Sequence, residues 1–344
     1  MNSQPTPEEG ASLETLPPPS SRKRGTTRAS MRDELLALFR DTERSSPQPS
    51  GPLGTAGKAR LSTTEPSTFL RRFLQHAAPS PELAPSGLAS LDSSLAGGFS
   101  AGPHLVLGLP GVGKTAFLES MAWEAVSSKR PVLYYALKDG SLRIWERLIS
   151  TIGYILGGPS IPLGALRART LAPQELETLT RLDLALQTDV LPYLSLVDTI
   201  SASTATLSAF IEDVRLRAQE AIERHGRIPL LLVDDLERLL SLTGSGPLLP
   251  LLSRLGGTLT ADSIPGLLAS TTPDPSSCGM GELPVQTIVV LESVSAFAGD
   301  AVERVDLELR TNARTGWTGT LPLLLDRRAG LFTDPSTGLE HERV

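Results

Sequence analysis

The sequence predicts an α/β domain: a mostly parallel, twisted sheet covered by helices on both faces, preceded by a disordered amino-terminal tail. Three observations predict it. From about residue 85, short apolar runs alternate with amphipathic stretches of helical period. A glycine-rich phosphate-loop pattern stands between one such run and one such stretch. Residues 1–66, by contrast, are rich in Pro, Ser, Thr and Gly and cannot bury enough apolar surface to offset the entropy of ordering.

Taken in order, the runs His104–Gly108, Pro131–Leu137, Tyr193–Asp198, Pro229–Asp235, Gly266–Thr271 and Thr287–Glu292 read as buried strands. Glu303–Arg310 and Thr320–Asp326 read as a closing antiparallel pair. Between them Thr115–Val126, Leu142–Ile155, Pro173–Leu186 and Thr204–Arg224 carry helix periodicity. The expected organisation is therefore a tail over 1–66, a linker helix over 67–84, the α/β domain over 85–334 and a short tail over 335–344. Within the first tail, residues 31–41 place Leu35, Leu36, Leu38 and Phe39 on one helical face; Phe69 to Leu74 do the same in the linker. Either segment suits docking to a protein partner or a neighbouring subunit, and the second equally suits packing on its own domain.

Composition narrows the function. A hydrophobic content of 40% supplies a core, while an aromatic content of 4% argues against base stacking as a main binding mode. The tryptophans Trp123, Trp145 and Trp317 accordingly read as core or helix-face residues. One cysteine, Cys278, excludes a disulfide framework or a cysteine-ligated metal. No apolar run is long enough to cross a bilayer and no signal peptide precedes the domain, so the expected location is the cytoplasm, with no membrane partner. The net charge is −6, unevenly spread: residues 1–80 hold 11 Lys and Arg against 8 Asp and Glu, leaving 21 against 30 in the rest. A field of that sign repels nucleic acid, so any DNA contact in the domain must come from a local patch.

Gly108-Leu109-Pro110-Gly111-Val112-Gly113-Lys114-Thr115 fits G-x-x-x-x-G-K-T between a strand and a helix, the context its mechanism requires. Its backbone N–H groups and the positive end of the helix would hold phosphate. Lys114 would bridge the β- and γ-phosphates, and the Thr115 hydroxyl would ligate Mg2+. The acidic half of such a site is Asp234, ending the run from Pro229, which would hold the magnesium. Asp235 sits where some enzymes of this kind place the base that activates water. ATP with Mg2+ is the expected ligand.

Beyond this loop the chain resembles the C-terminal motor domain of DnaB-type replicative helicases. The residues that carry the resemblance are Ser86-Gly87-Leu88-Ala89-Ser90-Leu91-Asp92 with Gly97-Gly98-Phe99, Pro162-Leu163-Gly164-Ala165-Leu166-Arg167 with Leu171 to Glu175, Leu196-Val197-Asp198-Thr199, and Arg314-Thr315-Gly316-Trp317-Thr318-Gly319-Thr320. RadA and KaiC relatives share the same core. The resemblance implies a RecA-like P-loop fold, a homo-oligomeric ring or filament, and DNA as a substrate. It also makes Arg314 a finger reaching into a neighbouring subunit's ATP site.

Three positions depart from the family. Lys138, in Leu137-Lys138-Asp139-Gly140-Ser141, stands where the family has a glutamate that polarises the hydrolytic water; it would instead pair with phosphate or Asp235. Thr271 replaces a glutamine sensor, and Asn312 replaces a lysine two residues before the finger. Asp139 or Asp235 could supply the missing carboxylate. The segments Leu240–Leu255 and Thr272–Leu283, expected to form DNA-contacting loops, contain only Arg254 as a base. Two functions remain open: a DNA helicase or translocase, which the breadth of the resemblance places first, and a regulatory or scaffold ATP-binding protein with slow or absent hydrolysis.

Overall fold

The computed structural model describes residues 82–155, 161–198, 206–244, 247–271, 283–295 and 302–335. The expected tails, the candidate helices at 31–41 and 69–76, Cys278 and nearly all of the Thr272–Leu283 segment lie outside them. Residues 82–84, the end of the expected linker helix, run extended instead, and Ala84 forms an antiparallel bridge with Phe99. Gly98 permits this close approach: it has φ +125°, and a Cβ there would stand 2.4 Å from the Ala84 carbonyl oxygen.

In chain order the elements are α1 (Ala89–Ser94), β1 (Gly102–Gly108), α2 (Lys114–Ser127), β2 (Val132–Tyr135), α3 (Ser141–Ile155), α4 (Leu163–Ala168), α5 (Pro173–Ala185), a π-helical turn (Leu186–Val190), β3 (Leu194–Val197) and α6 (Leu207–His225). There follow β4 (Leu230–Val233), α7 (Leu236–Thr243), α8 (Leu248–Ala261), β5 (Pro265–Ser270), β6 (Thr287–Ser295), β7 (Val302–Asn312), β8 (Gly319–Asp326) and β9 (Leu331–Thr333). The strands lie in one sheet in the order β3-β2-β4-β5-β1-β6-β7-β8-β9. Pairings from β3 through β6 are parallel; β6 to β9 pair antiparallel, which includes the closing pair read from sequence.

Alternation along the buried strands divides the core between the two faces. On β4, Leu230 and Leu232 join one cluster with Phe117, Met121 and Ile144 from α2 and α3. Leu231 and Val233 join the other, with Phe210 and Val214 of α6 and Leu251 and Leu255 of α8. Helix α6 begins later than the sequence suggested because the Thr206 hydroxyl caps it, accepting from the Ala209 N–H at 3.2 Å; Gly226, at φ +67°, ends it.

The Leu240–Leu255 segment is not a loop. It is covered mostly by α7 and α8, whose helical character Pro250 and the Gly256-Gly257 pair had hidden. Pro250 falls in the first turn of α8, where a missing N–H costs nothing. Gly256 faces the sheet so closely that a Cβ would stand 2.9 Å from Pro103 Cγ. Burial of Leu251, Leu252, Leu255 and Leu259 outweighs the weak intrinsic propensity of the two glycines.

Candidate functional site

Strand β1 ends at Gly108, and α2 starts at Lys114, so the loop between them delivers the first N–H groups of α2 to one spot at the carboxyl end of the sheet. Gly113 is the N-cap with φ +107°; a side chain there would also meet Leu325 Cδ2 at 2.8 Å. The loop tip is tied down from the antiparallel end of the sheet, where Arg327 donates to the Gly111 carbonyl at 3.1 Å and pairs with Glu303. The Lys114 ammonium folds back onto the loop, donating to Gly108 O at 2.6 Å and Leu109 O at 3.1 Å. Its pKa is lowered by burial first and by the nearby Lys138 second.

Beside the loop lies a cavity of about 230 Å3. Lys114 and Thr115 line it from α2, Asp234 and Asp235 from the end of β4, Lys138 from the turn after β2, and Thr271 from the end of β5. These positions are scattered over more than 150 residues of sequence, and the parallel register of β1, β2, β4 and β5 collects them at one sheet edge.

Asp234 is 4% exposed, and its pKa is pushed up to about 7, chiefly by burial. Part of that cost is offset by N–H donors from Leu137 at 2.8 Å and Lys138 at 3.2 Å. Asp235 is raised too, again mainly by burial, while Lys138 opposes the shift. Its Oδ1 caps α7 by accepting from the Arg238 N–H at 2.7 Å.

A nearly buried carboxylate set beside a helical hydroxyl in a phosphate-sized hollow is a donor set that suits a hard, oxygen-seeking cation. Thr115 and Asp234 would hold Mg2+, with water and phosphate oxygens completing its shell, as this ion prefers. Bound there, the ion would neutralise phosphate charge, and it would remove the cost of ionising Asp234.

Of the eight loop residues, Gly111, Gly113, Lys114 and Thr115 face this cavity. Gly108, Leu109, Pro110 and Val112, together with Gly111, face a larger hollow of about 620 Å3 on the loop's other side. Lys138 projects into the phosphate cavity, whereas Asp139 does not line it and pairs with Arg147 at 3.0 Å. Arg314 is exposed on the turn between β7 and β8 and lies outside the cavity. Trp317, read from sequence as a core or helix-face residue, stands 39% exposed on that same turn.

Two cavity residues had no signal in the sequence. Glu237, in the first turn of α7, accepts from Ser270 Oγ at 2.5 Å and from the Thr271 N–H at 2.9 Å. Burial would raise its pKa, but these bonds prevail and hold it below the usual range. Arg147 lines the cavity from α3 and donates to Glu119 at 2.6 Å. Glu119 is fully buried on α2, and burial lifts its pKa to about 8 against the pull of Arg147.

No protein-family model and no curated protein matches the chain. Solved structures do. The chain is similar to one solved as an isolated ATPase domain, with a TM-score of 0.59 and 18% identity over 77% of this chain and 96% of that one. It is similar as well to a DnaB-like replicative helicase solved for its interactions with primase, with a TM-score of 0.60 and 17% identity over 88% of this chain and 71% of that one. The fold is therefore the RecA-like fold of DnaB-type ATPase domains, as the sequence motifs implied.

Proposed function

We propose that the chain is a P-loop ATPase that binds Mg-ATP in the 230 Å3 cavity, works as an assembly of its own copies and turns ATP over slowly. The observation that carries this reading is the meeting of Lys114, Thr115, Asp234 and Asp235 in one hollow at the head of α2. Lys114 and the N–H groups of the loop bind the phosphates; Thr115 and Asp234 hold the magnesium. Asp235 accepts the proton of the attacking water as its oxygen bonds to the γ-phosphorus and the bridging oxygen leaves with ADP. Asp139 is set aside for this role because Arg147 occupies it outside the cavity.

Slow turnover follows from two features. The carboxylate of Asp235 is partly committed to capping α7, and Lys138 brings an ammonium to its vicinity, which lowers its appetite for a proton. Arg314, exposed on its turn, completes the site of a neighbouring copy. The test is binding of a fluorescent ATP analogue with and without Mg2+, followed by single-turnover hydrolysis. Absence of magnesium-dependent binding would remove the proposal.

A second reading, a motor on DNA, is favoured by the likeness to a DnaB-like replicative helicase. Hydrolysis stimulated more than about 10-fold by single-stranded DNA would decide for it. Partner docking through residues 1–66 belongs to the slow-turnover reading, and deleting them should abolish partner capture while leaving nucleotide binding intact.

A further inference from the structure

Asn312 takes a lysine's place in the sequence motif and would be counted there as a lost functional group. In the structure it is 4% exposed, and both ends of its amide are engaged. Its Nδ2 donates to the Ser94 carbonyl at 3.0 Å and to Thr315 Oγ1 at 2.5 Å. Its Oδ1 accepts from the N–H of Arg314 at 3.3 Å and of Thr315 at 3.2 Å. Thr315 Oγ1 in turn donates to Ser94 O at 3.1 Å and accepts from the Trp317 N–H at 3.1 Å. Two backbone bonds of 2.8 Å, from Gly316 to Asn312 and from Ala313 to Gln286, close the turn on either side of Arg314.

The whole assembly is thereby bolted to the last residue of α1. Arg314 stands at its centre, exposed, and among the described residues its guanidinium has neither a hydrogen bond nor an ion pair. A long cation of that kind is useful to a neighbour only if its backbone is already fixed; otherwise ordering it on contact consumes much of the gain.

We propose that Asn312 is a positioning residue, which braces the β7–β8 turn against α1 so that Arg314 is presented to the nucleotide held by a neighbouring copy. The inference rests on the reading above that Arg314 acts between copies. It reverses the meaning of the departure at 312. A lysine there would place an ammonium in a buried slot shaped for an amide, remove both acceptor contacts to the turn, and loosen Arg314.

The test uses full-length chains at concentrations where they assemble, with a fluorescent ATP analogue as probe. Arg314→Ala should weaken binding by about 10-fold, the effect of one charge-assisted contact. Asn312→Ala and Asn312→Lys should weaken it to a similar extent, and Thr315→Ser, which keeps the bracing hydroxyl, should bind as the parent does. Mixing separates bracing from general damage. Asn312→Ala chains mixed with Lys114→Ala chains, whose turn is intact, should regain tight binding; mixed with Arg314→Ala chains they should not.

Parental affinity in Asn312→Ala or Asn312→Lys would overturn the inference, as would recovery with Arg314→Ala chains or no recovery with Lys114→Ala chains. Parental affinity in Arg314→Ala itself would sink the underlying between-copies reading, and the two failures are thus told apart.

Discussion

At the carboxyl edge of the sheet, the ends of β1 and β4 differ in kind from the end of β2 and the β7–β8 turn. The first pair carries the groups that grip phosphate and metal, and each group matches the chemistry of the job: Lys114 and Thr115 at the head of α2, and Asp234 buried beside them. The second pair carries groups on which phosphoryl transfer depends, and here residue types have changed, with Lys138 projecting into the cavity and Asn312 withdrawn into the protein. Gripping requires a local loop and one strand end, so its sequence pattern survives as a unit. Transfer requires single residues set by distant elements, and each can change without disturbing the fold.

That contrast is most easily broken at Lys114. Lys114→Ala should weaken ATP binding by about 10³-fold, because two charge-assisted phosphate contacts are lost together. The fold should remain, since the ammonium serves only two loop carbonyls in the absence of ligand. Unchanged affinity for the ATP analogue by fluorescence titration would show that the gripping half has been misplaced.

Next in size is Lys138→Glu, which restores a carboxylate at the end of β2. Single-turnover hydrolysis should rise by on the order of 10²-fold, the usual contribution of a positioned general base. A fast parent slowed by the same change would erase the contrast between the two halves and return the protein to the motor class.

Asp234 probes the cost of keeping the gripping half ready. Its folded pKa of about 7 lies above the usual 3.8, so the folded state holds the proton more readily than the unfolded one. The associated stability is complete below pH 3.8 and lost as pH rises through 7. Asp234→Asn should therefore stabilise the metal-free protein at pH 8 by about 2 kcal/mol, an advantage that fades toward pH 4. Magnesium-dependent binding should be lost at every pH. Melting curves in EDTA at both pH values test the sign, and a variant equally destabilised at both would refute it.

How much of this was legible beforehand follows the same division. The strands from β1 to β6 and helix α2 were readable because their periodicity is local and their faces are buried. Helices α7 and α8 were not, since Pro250 and Gly256-Gly257 argue for a loop until the sheet packed against them is known. The phosphate loop announced itself by spacing. Glu237 could not, because its meaning comes from Ser270 and Thr271, more than 30 residues away. Asn312 is hard to judge for a related reason: side-chain type is visible in a sequence, whereas a 4% exposed amide with four bonds is not.

The smallest expected effect belongs to Asp235, where the two halves share one residue. Its carboxylate caps α7 and lines the cavity, so one substitution disturbs structure and chemistry together. Asparagine caps a helix about as well as aspartate does but cannot take up a proton under these conditions; alanine does neither. Asp235→Ala should lower stability by about 1 kcal/mol, or roughly 2–4 °C in Tm for a domain of this size. Asp235→Asn should melt within about 1 °C of the parent. Both should slow hydrolysis to the same degree if the carboxylate is the proton acceptor. Should Asp235→Asn hydrolyse ATP at the parental rate while Asp235→Ala is merely less stable, the residue is a helix cap alone, and the base must be sought among the other carboxylates at the end of the sheet, with Glu237 first in reach.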